Sequence, residues 1–420
     1  MTFNECFVYI TLPNCTEAVT AGKFRLMKEK NGIFVGHFVY GKSYLERSDA
    51  IEIDPIELKL TEEQYDTVLL NGVFGALRDS SPDYWGRHLI ELHCGYNISP
   101  EMDYLLNSPD DRIGALGFGL NKTPPAPMRS FNKRIQLAQL QEEAQKIISN
   151  NEVLSDTQIK ELLLIEMSTS MGGARPKAVI EDEDNLWLAK FNSPKDLWNN
   201  ARVEHAMLKL AQLCGIESSY SKVISVADQD VLLLKRFDRE KSETGYVRHR
   251  MISALTLLKA DDDVLKQEKW SYISMAENLR KISCDTKKDL EQLFRRMVFN
   301  ALITNNDDHL RNHAFIAKNK GWKLSPAYDL TPTPMVSTTR DLALVCGKYG
   351  RLANRSNLLS ECGLFLLNKS DAEKIVDDMQ TKVKNSWYTT ARAEGVTEKD
   401  CEKIKTAFVC EGFNDRNEKC

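Results

Sequence analysis

The stretch "ITNNDDHLRNHAFIA", residues 303–317, places two aspartates, two histidines and three asparagines at one turn. The preceding "DLEQLFRRMVFNAL" (289–302) has apolar residues at helical spacing, and "HAFIA" (313–317) is typical of a strand. Such a polar cluster between a helix and a strand is costly to bury unless its groups have partners. The cluster therefore indicates either a metal site or a site that transfers a proton beside a bound anion.

The composition indicates a cytoplasmic globular protein of several domains. A chain of 420 residues with 42% hydrophobic and 28% charged residues exceeds one ordinary core, so two or three domains are expected. The net charge of −4 argues against broad nucleic-acid binding by this chain alone. The ten cysteines form no C-x-x-C pair, and no leader or membrane-spanning run is visible, so no membrane association is expected.

Local patterns divide the chain into a β-rich start and a mostly helical end. Asn31-Gly32 between two alternating runs predicts a β-hairpin within a small domain of about 100 residues. Helices are predicted at about 135–150 and 156–168, then a glycine turn and two strands that end near residue 191. A helix over 200–216 and a strand over 231–237 follow, and helical patterns dominate from about residue 250.

The spacing inside the 303–317 cluster matches the catalytic loop of a kinase. Asp307 and Asn312 form D-x-x-x-x-N, in which the aspartate accepts a proton from the acceptor hydroxyl and the asparagine binds Mg²⁺. Asp308 does not fit, because the residue five positions later is His313. Alone this match is weak, but "AYDLTP" supplies Asp329 after a short strand, where a second carboxylate ligand of Mg²⁺ belongs.

The upstream half contains the groups expected to bind a nucleotide. Gly172 and Gly173 allow backbone N–H groups to approach phosphate oxygens, although a lone Gly-Gly is more often a simple tight turn. Lys190 on a predicted strand and Glu204 on the next helix are the candidates for a phosphate-binding ion pair. A strand lysine more often lies on the solvent face, and Glu204 could equally be an exposed residue. "LLLKRFDRE" resembles a hinge strand. The order of these elements is more specific than any one of them.

These stretches together resemble HipA-type serine/threonine kinases, the toxins of bacterial toxin–antitoxin pairs. The likeness lies in "SMGGARPKA", "LAKF", "LKRFDRE", "NNDDHLRNHAF" and "LSPAYDLTP", with "SSPDYWGRHLIE", "DDRIGALGFG" and "VGHFVYGKSYLERSDAIEIDPIELKL" in the N-terminal part. It implies an α+β, two-lobed, protein-kinase-like fold with a small β-rich N-terminal subdomain. The implied domains are an N-terminal subdomain over 1–105, a kinase N-lobe with hinge over 106–240, and a helical C-lobe over 241–420.

The resemblance also implies roles for individual residues, with ATP and Mg²⁺ as cofactors. Asp307 would be the catalytic base, His309 a support of the catalytic loop, and Asn312 and Asp329 the Mg²⁺ ligands. Autophosphorylation would fall on Ser170, or on Ser168 nearby. Lys235 stands where the family often has an acidic hinge residue, which makes a side-chain contact to adenine doubtful. The nucleotide-binding positions would be Ser170, Met171, Gly172, Gly173, Ala174, Lys177, Lys190, Glu204, Lys235 and Phe237.

The implied partners are a protein substrate, of which translation factors such as aminoacyl-tRNA synthetases are family examples, and a HipB-like helix-turn-helix antitoxin. DNA would be contacted only through the antitoxin complex. Two alternatives stay open. The same groups could phosphorylate a lipid or small-molecule hydroxyl. His309 and His313, four apart, could instead bind a metal on one helical face with Asp307 or Asp308, as in a metallohydrolase.

Overall fold

The computed structural model describes residues 4–82, 86–88, 90–91, 100–128, 131–148, 175–183, 185–226, 228–261, 263 and 270–415. Its strands are β1 Glu5–Thr11, β2 Ala18–Lys28, β3 Phe34–Tyr40, β4 Tyr65–Thr67, β5 Leu116–Gly119, β6 Asn132–Lys133, β7 Lys177–Asp182, β8 Asn185–Phe191, β9 Ser221–Val226, β10 Gln229–Lys235, β11 Arg239–Ser242, β12 Gly245–Arg248, β13 Arg250–Ser253, β14 Ala314–Ala317 and β15 Lys323–Leu324. Its helices are α1 Lys42–Leu45, α2 Gly75–Asp79, α3 Pro100–Asn107, α4 Leu137–Ile148, α5 Asn200–Leu213, α6 Ala254–Leu257, α7 Tyr272–Ile282, α8 Thr286–Leu302, α9 Arg355–Ser360, α10 Lys369–Ala393 and α11 Glu398–Ile404.

The N-terminal part is an antiparallel sheet in the order β4-β3-β2-β1-β5. The predicted hairpin is confirmed: β2 and β3 pair up to Lys28 and Phe34, and Gly32 in the connecting loop has a φ of 87°. The sheet extends past the predicted boundary at residue 105, because β5 pairs with β1 from Ile10 opposite Leu116 to Phe7 opposite Gly119. The sheet therefore takes in residues that follow α3.

The second sheet has the order β6-β7-β8-β10-β9 and carries α5 against it. β7 and β8 are the two strands predicted after the glycine turn, and β10 is the predicted hinge strand. α4 matches the helix predicted at about 135–150, whereas the helix predicted at 156–168 lies outside the described residues.

The bounds of α5 follow from its flanking residues. Asn199 precedes the helix, and its side chain accepts a hydrogen bond from the Arg202 N–H. The helix ends before Gly215, which has a φ of 76°. α5 lies beside the last residues of β8, where Lys190 contacts Glu204, and beside the first residues of β10, where Asp230 contacts Arg202.

The C-terminal part is built around α8, whose buried face includes Leu290, Leu293 and Met297 as the periodicity predicts. α7, α10 and the β13-β14-β15 sheet pack against it. β14 begins directly after the polar turn at 303–313, so the helix-turn-strand prediction is confirmed. Among the described residues, we find no helix that has both the length and the apolar character to cross a bilayer.

A buried charge cluster joins the hinge to the N-terminal part. The Arg236 guanidinium, fully enclosed, donates to the Asp238 carboxylate and to the Asp111 backbone carbonyl at 2.6 Å. Asp238 accepts from the Gly114 N–H at 2.9 Å and from Arg239 at 2.7 Å. Burial disfavours the charge of Asp238, but the Arg236 and Arg239 charges outweigh it and hold the pKa of this carboxyl well below its usual range. The hinge is thus fixed from behind by the 111–114 loop.

Candidate active site

Lys190 lies at the centre of the site, between two carboxylates. Its Nζ is 2.7 Å from Oε1 of Glu204 on α5 and 2.9 Å from Oδ1 of Asp329. The three side chains are 11%, 7% and 22% exposed. Lys190 therefore does not lie on the solvent face of β8, and the predicted Lys190–Glu204 pair is present.

The charges of this triad stabilise one another. Burial disfavours the charge of Lys190, but Asp329 and Glu204 outweigh it and raise the pKa of the ammonium group. Burial also disfavours the charge of Asp329, and there Lys190 outweighs it and lowers the pKa of the carboxyl. At Glu204, burial together with the nearby Asp329 charge raises the pKa. The Lys190 ammonium group could therefore bind an anionic ligand, and the neighbouring carboxylates could bind a cation that accompanies this ligand.

A cavity of about 520 Å³ opens beside the triad. Lys177 borders it and lies directly opposite Lys190 in the β7–β8 register, so both lysines face the same space. Its remaining lining includes Arg175, Ser193, Asp196, Trp198, Asn200, Glu204, Asp307, Asp329, Thr331, Pro332 and Thr333. Basic and acidic side chains are thus interspersed on the cavity wall, since Lys190 pairs with Glu204 and Asp329, and Arg175 pairs with Asp196 at 2.6 Å.

Asp307 is an exposed residue that lies on the cavity wall. Loss of solvent in the cleft raises the pKa of its carboxyl, and the like charges of Asp329 and Asp308 add to the shift. His309 acts in the opposite direction, and its backbone N–H donates to the Asp307 carbonyl at 2.9 Å. A carboxylate with a raised pKa at a cavity wall is suited to accept a proton.

Asn312 is buried beside Asp307. Its Nδ2 donates to the Asp307 backbone carbonyl at 3.0 Å, while its Oδ1 has no hydrogen-bond partner among the described residues. Asp329 has a φ of 57°, a left-handed conformation that is uncommon for a residue with a side chain. The Asn312 amide oxygen and the Asp329 carboxylate are hard oxygen donors, and these donor types fit Mg²⁺.

Asp308 has a different environment from its neighbour Asp307. Its carboxylate accepts a hydrogen bond from the Tyr272 hydroxyl, and it pairs with Nε2 of His313 at 2.8 Å. Asp308 and His313 side chains are each 2% exposed. Asp308 and His313 are therefore structural, as the D-x-x-x-x-N spacing indicates.

The metallohydrolase alternative is not supported by this geometry. It needs His309 and His313 on one helical face, but His309 is extended and only a short turn, Leu310–Asn312, separates the two. In the described part of the chain, no group of three or more His, Cys, Asp or Glu side chains could hold a metal ion. The His313 ring is instead committed to Asp308.

A narrow slot lies behind the triad at the end of the hinge. Leu188, Leu234, Phe237 and Tyr328 line it, together with Ser219, Lys235 and Arg236. The Phe237 and Tyr328 rings lie 5.9 Å apart at 32°, which gives the slot flat apolar walls. The Lys235 side chain is exposed at its edge. The slot has a volume of only about 10 Å³, so a flat aromatic ring such as a purine would fit only after the Phe237 and Tyr328 rings move apart.

The remaining predicted positions, Ser168, Ser170, Met171, Gly172, Gly173 and Ala174, lie outside the described residues. The prediction missed other residues that line the cavity, among them Arg175 and Thr333. The Thr333 hydroxyl donates to Oδ1 of Asn306 at 2.8 Å and so ties the segment after Asp329 to the catalytic-loop region. Arg175, in "GARPK", could have been noticed as a cation next to the glycine turn.

Comparison with known proteins agrees with these features. The HipA-like C-terminal domain family matches residues 169–387, a span that contains Lys190, Glu204, Asp307, Asn312 and Asp329. The chain belongs to this family. The predicted family resemblance is therefore confirmed.

Two curated relatives of this HipA-family chain carry kinase names. A Haemophilus influenzae protein named "Putative kinase" is 28% identical over 206 residues, which cover 43% of this chain and 58% of the relative. The Sinorhizobium fredii "Putative kinase Y4mE" is 25% identical over 135 residues, which cover 31% of this chain and 32% of the relative. The matches thus span about half and about a third of these relatives.

A solved structure matches almost the whole HipA-family chain. It is the complex of HipA, HipB and operator DNA from the Shewanella oneidensis MR-1 toxin–antitoxin system. The similarity covers 95% of this chain and 94% of the matched chain, with a TM-score of 0.65 and 14% identity. At that identity the likeness concerns the fold, and the predicted α+β, HipA-like fold is confirmed.

Proposed function

We propose that this protein is an ATP- and Mg²⁺-dependent serine/threonine protein kinase. The observation that supports it most is Lys190 paired with both Glu204 and Asp329 at the cavity that Asp307 borders. In protein kinases the same lysine–glutamate pair and metal-binding aspartate must be in place for phosphoryl transfer. The family membership and the kinase names of the relatives agree with this proposal.

Each group then has a task in the reaction. The slot between Leu188, Leu234 and Phe237 would take the adenine ring, and Lys190 and Lys177 would bind the phosphates. Asn312 and Asp329 would hold Mg²⁺, which when bound offsets charge on the transferring phosphoryl group.

Asp307 would accept the proton of the attacking hydroxyl, since it lies on the cavity wall with a raised pKa. His309 would shape the loop through its backbone contacts with Asp307 and Asn312. Ser170, or Ser168, is proposed as the autophosphorylated residue on the strength of the family resemblance alone.

The biological role that we propose is that of a toxin restrained by a HipB-like antitoxin. The support is the fold shared with a component of the Shewanella complex of HipA, HipB and operator DNA. With a net charge of −4 this chain would contact DNA mainly through such an antitoxin. The acceptor in the cell would be a protein hydroxyl.

The Asp307→Asn variant tests the chemistry. It should lose transfer of the ATP γ-phosphate to itself and to added protein, because the proton acceptor is gone, while the Kd for MgATP stays close to that of the wild type. Isothermal titration gives the Kd, and intact-mass spectrometry after incubation with MgATP gives the transfer. Transfer at the wild-type rate by Asp307→Asn would refute the assignment.

The toxin role has a separate test. Induced expression of the wild type should stop growth, and Asp307→Asn expressed to the same level should not. Equal growth arrest by both proteins would contradict a toxicity that depends on phosphoryl transfer.

A further inference from the structure

The helix that carries Glu204 is attached to the C-terminal part of the chain. α5 packs along α10, and its side chains meet the residues that follow α10. The Arg202 Nη1 donates to the Glu394 backbone carbonyl at 3.2 Å, and His205 Nε2 lies 3.0 Å from the Glu394 carboxylate. These contacts flank Glu204 on both sides along the helix.

Further contacts extend the attachment to the loop that precedes α5. The Asp400 carboxylate accepts from the Asn199 N–H at 3.4 Å, and the Lys403 ammonium donates to the Leu197 carbonyl. We call residues 394–403 the C-terminal latch. The latch therefore contacts α5 at its N-cap, in its first turn and next to Glu204.

Arg202 and His205 also attach α5 to the sheet. Arg202 pairs with both carboxylate oxygens of Asp230 on β10, and His205 Nδ1 lies 2.8 Å from the Ser221 hydroxyl on β9. Arg202 and His205 thus each join a strand of the sheet to Glu394. α5 is therefore attached both to the sheet and to the latch.

We infer that the C-terminal latch positions Glu204 for nucleotide binding, with Glu394 and Gly395 as positioning residues. This inference rests on the proposed function. A kinase whose lysine–glutamate pair forms only when a helix moves inward can be switched by that movement. Here the pair is already formed, at 2.7 Å, and the latch holds the helix that carries it. Displacing the latch would separate Glu204 from Lys190 and weaken MgATP binding.

Gly395 offers a sharp test of the latch. A Cβ at this residue would overlap the Arg202 guanidinium, and the glycine has a φ of 80°. Gly350 is a matched control, because it has a φ of 71° and nothing lies within 4 Å of a Cβ placed there. Alanine at either site strains the backbone in the same way, but only Gly395→Ala forces a side chain of α5, that of Arg202, to move.

Gly395→Ala should raise the Kd for MgATP by about 2- to 30-fold, the usual range for coupling between adjoining elements. Gly350→Ala should leave it unchanged. Glu394→Ala, which removes one contact without new bulk, should shift the Kd in the same direction by less. If Gly395→Ala binds MgATP as tightly as Gly350→Ala does, the inference is wrong.

A double variant separates positioning from general damage. In a Glu204→Gln background, Gly395→Ala should add little further loss of MgATP affinity, because the latch acts through Glu204. If Gly395→Ala lowers the MgATP affinity of the Glu204→Gln variant as much as it lowers that of the wild type, the latch does not act through Glu204.

Amide hydrogen exchange tests the latch independently of the proposed function, because it needs no nucleotide. Without nucleotide, Gly395→Ala should speed exchange in peptides from 200–213, and Gly350→Ala should not. If the wild type binds no MgATP, the proposed function fails, and the exchange result still decides whether the latch holds α5. Unchanged exchange in Gly395→Ala would overturn the latch itself.

Discussion

Replacing Lys190 by methionine should destabilise the fold, because it leaves two carboxylates buried without a counter-charge. Methionine keeps the unbranched shape and most of the volume of lysine. Glu204 and Asp329, 2.7 Å and 2.9 Å from the lysine nitrogen, would then face each other with no cation between them. The variant should lose stability because the two carboxylates lose the cation between them, while the packing changes little.

The magnitude follows from the burial of the triad. Removing one partner of a buried ion pair costs about 3–5 kcal/mol, whereas an exposed pair contributes about 0.2–1 kcal/mol. The Glu204 side chain is 7% exposed and that of Asp329 is 22% exposed, so the loss in the free energy of unfolding should lie in the range for buried pairs. Lys382→Met is the control, because Lys382 and its partner Asp378 are 42% and 50% exposed.

The effect should depend on pH in one direction. Burial already raises the pKa of Glu204, and removing Lys190 raises it further, so the stranded carboxylate gains a proton as the pH falls. The difference in stability between Lys190→Met and the wild type should therefore be largest at pH 8 and shrink toward pH 5. The double variant Lys190→Met/Glu204→Gln should recover part of the loss at pH 8.

Urea unfolding followed by circular dichroism, at pH 8 and pH 5, measures the wild type and these three variants. Equal unfolding midpoints for Lys190→Met and Lys382→Met at pH 8 would refute the reasoning. A loss that Glu204→Gln does not relieve would also contradict it, since the cost would then come from packing.

Three further outcomes are expected. The raised pKa of Asp307 means that kcat should fall as the pH decreases through that pKa and level off above it; a kcat that instead rises as the pH falls would contradict a base at Asp307. Asp308→Ala should lower the free energy of unfolding by about 3 kcal/mol, because the Tyr272 hydroxyl and His313 each lose an acceptor, and thermal unfolding should show no such loss for the exposed Asp307→Ala. Asp238→Asn should cost about 3–5 kcal/mol by stranding the Arg236 guanidinium, and an unchanged melting temperature would refute this.

Much of the local structure was predictable because it depends on neighbours in sequence. The Asn31-Gly32 turn selects a hairpin, and the spacing of Leu290, Leu293 and Met297 selects a buried helical face. The Lys190–Glu204 pair was also predictable, since a strand and the helix that follows it are packed together in a known order of elements. These predictions required no knowledge of distant contacts.

Other features depend on contacts between segments far apart in the chain. The D-x-x-x-x-N spacing singles out Asp307, but it does not indicate that the hydroxyl of the distant Tyr272 donates to the buried Asp308 carboxylate. The attachment of α5 to Glu394 joins residues 192 positions apart, and no local pattern indicates it. The pairing of β5 with β1 is likewise not local, since it places Leu116 opposite Ile10.

The pairing of β5 with β1 has a practical consequence for dissecting this protein. A fragment that stops at residue 105 would leave β1 with an open edge, and the residues from Val8 to Thr11 on that strand are normally buried. Unpaired backbone groups beside apolar side chains recruit strands from other molecules. Such a fragment should self-associate, and one that continues through Gly119 should not. The first sheet is complete only when the chain has returned to it at β5.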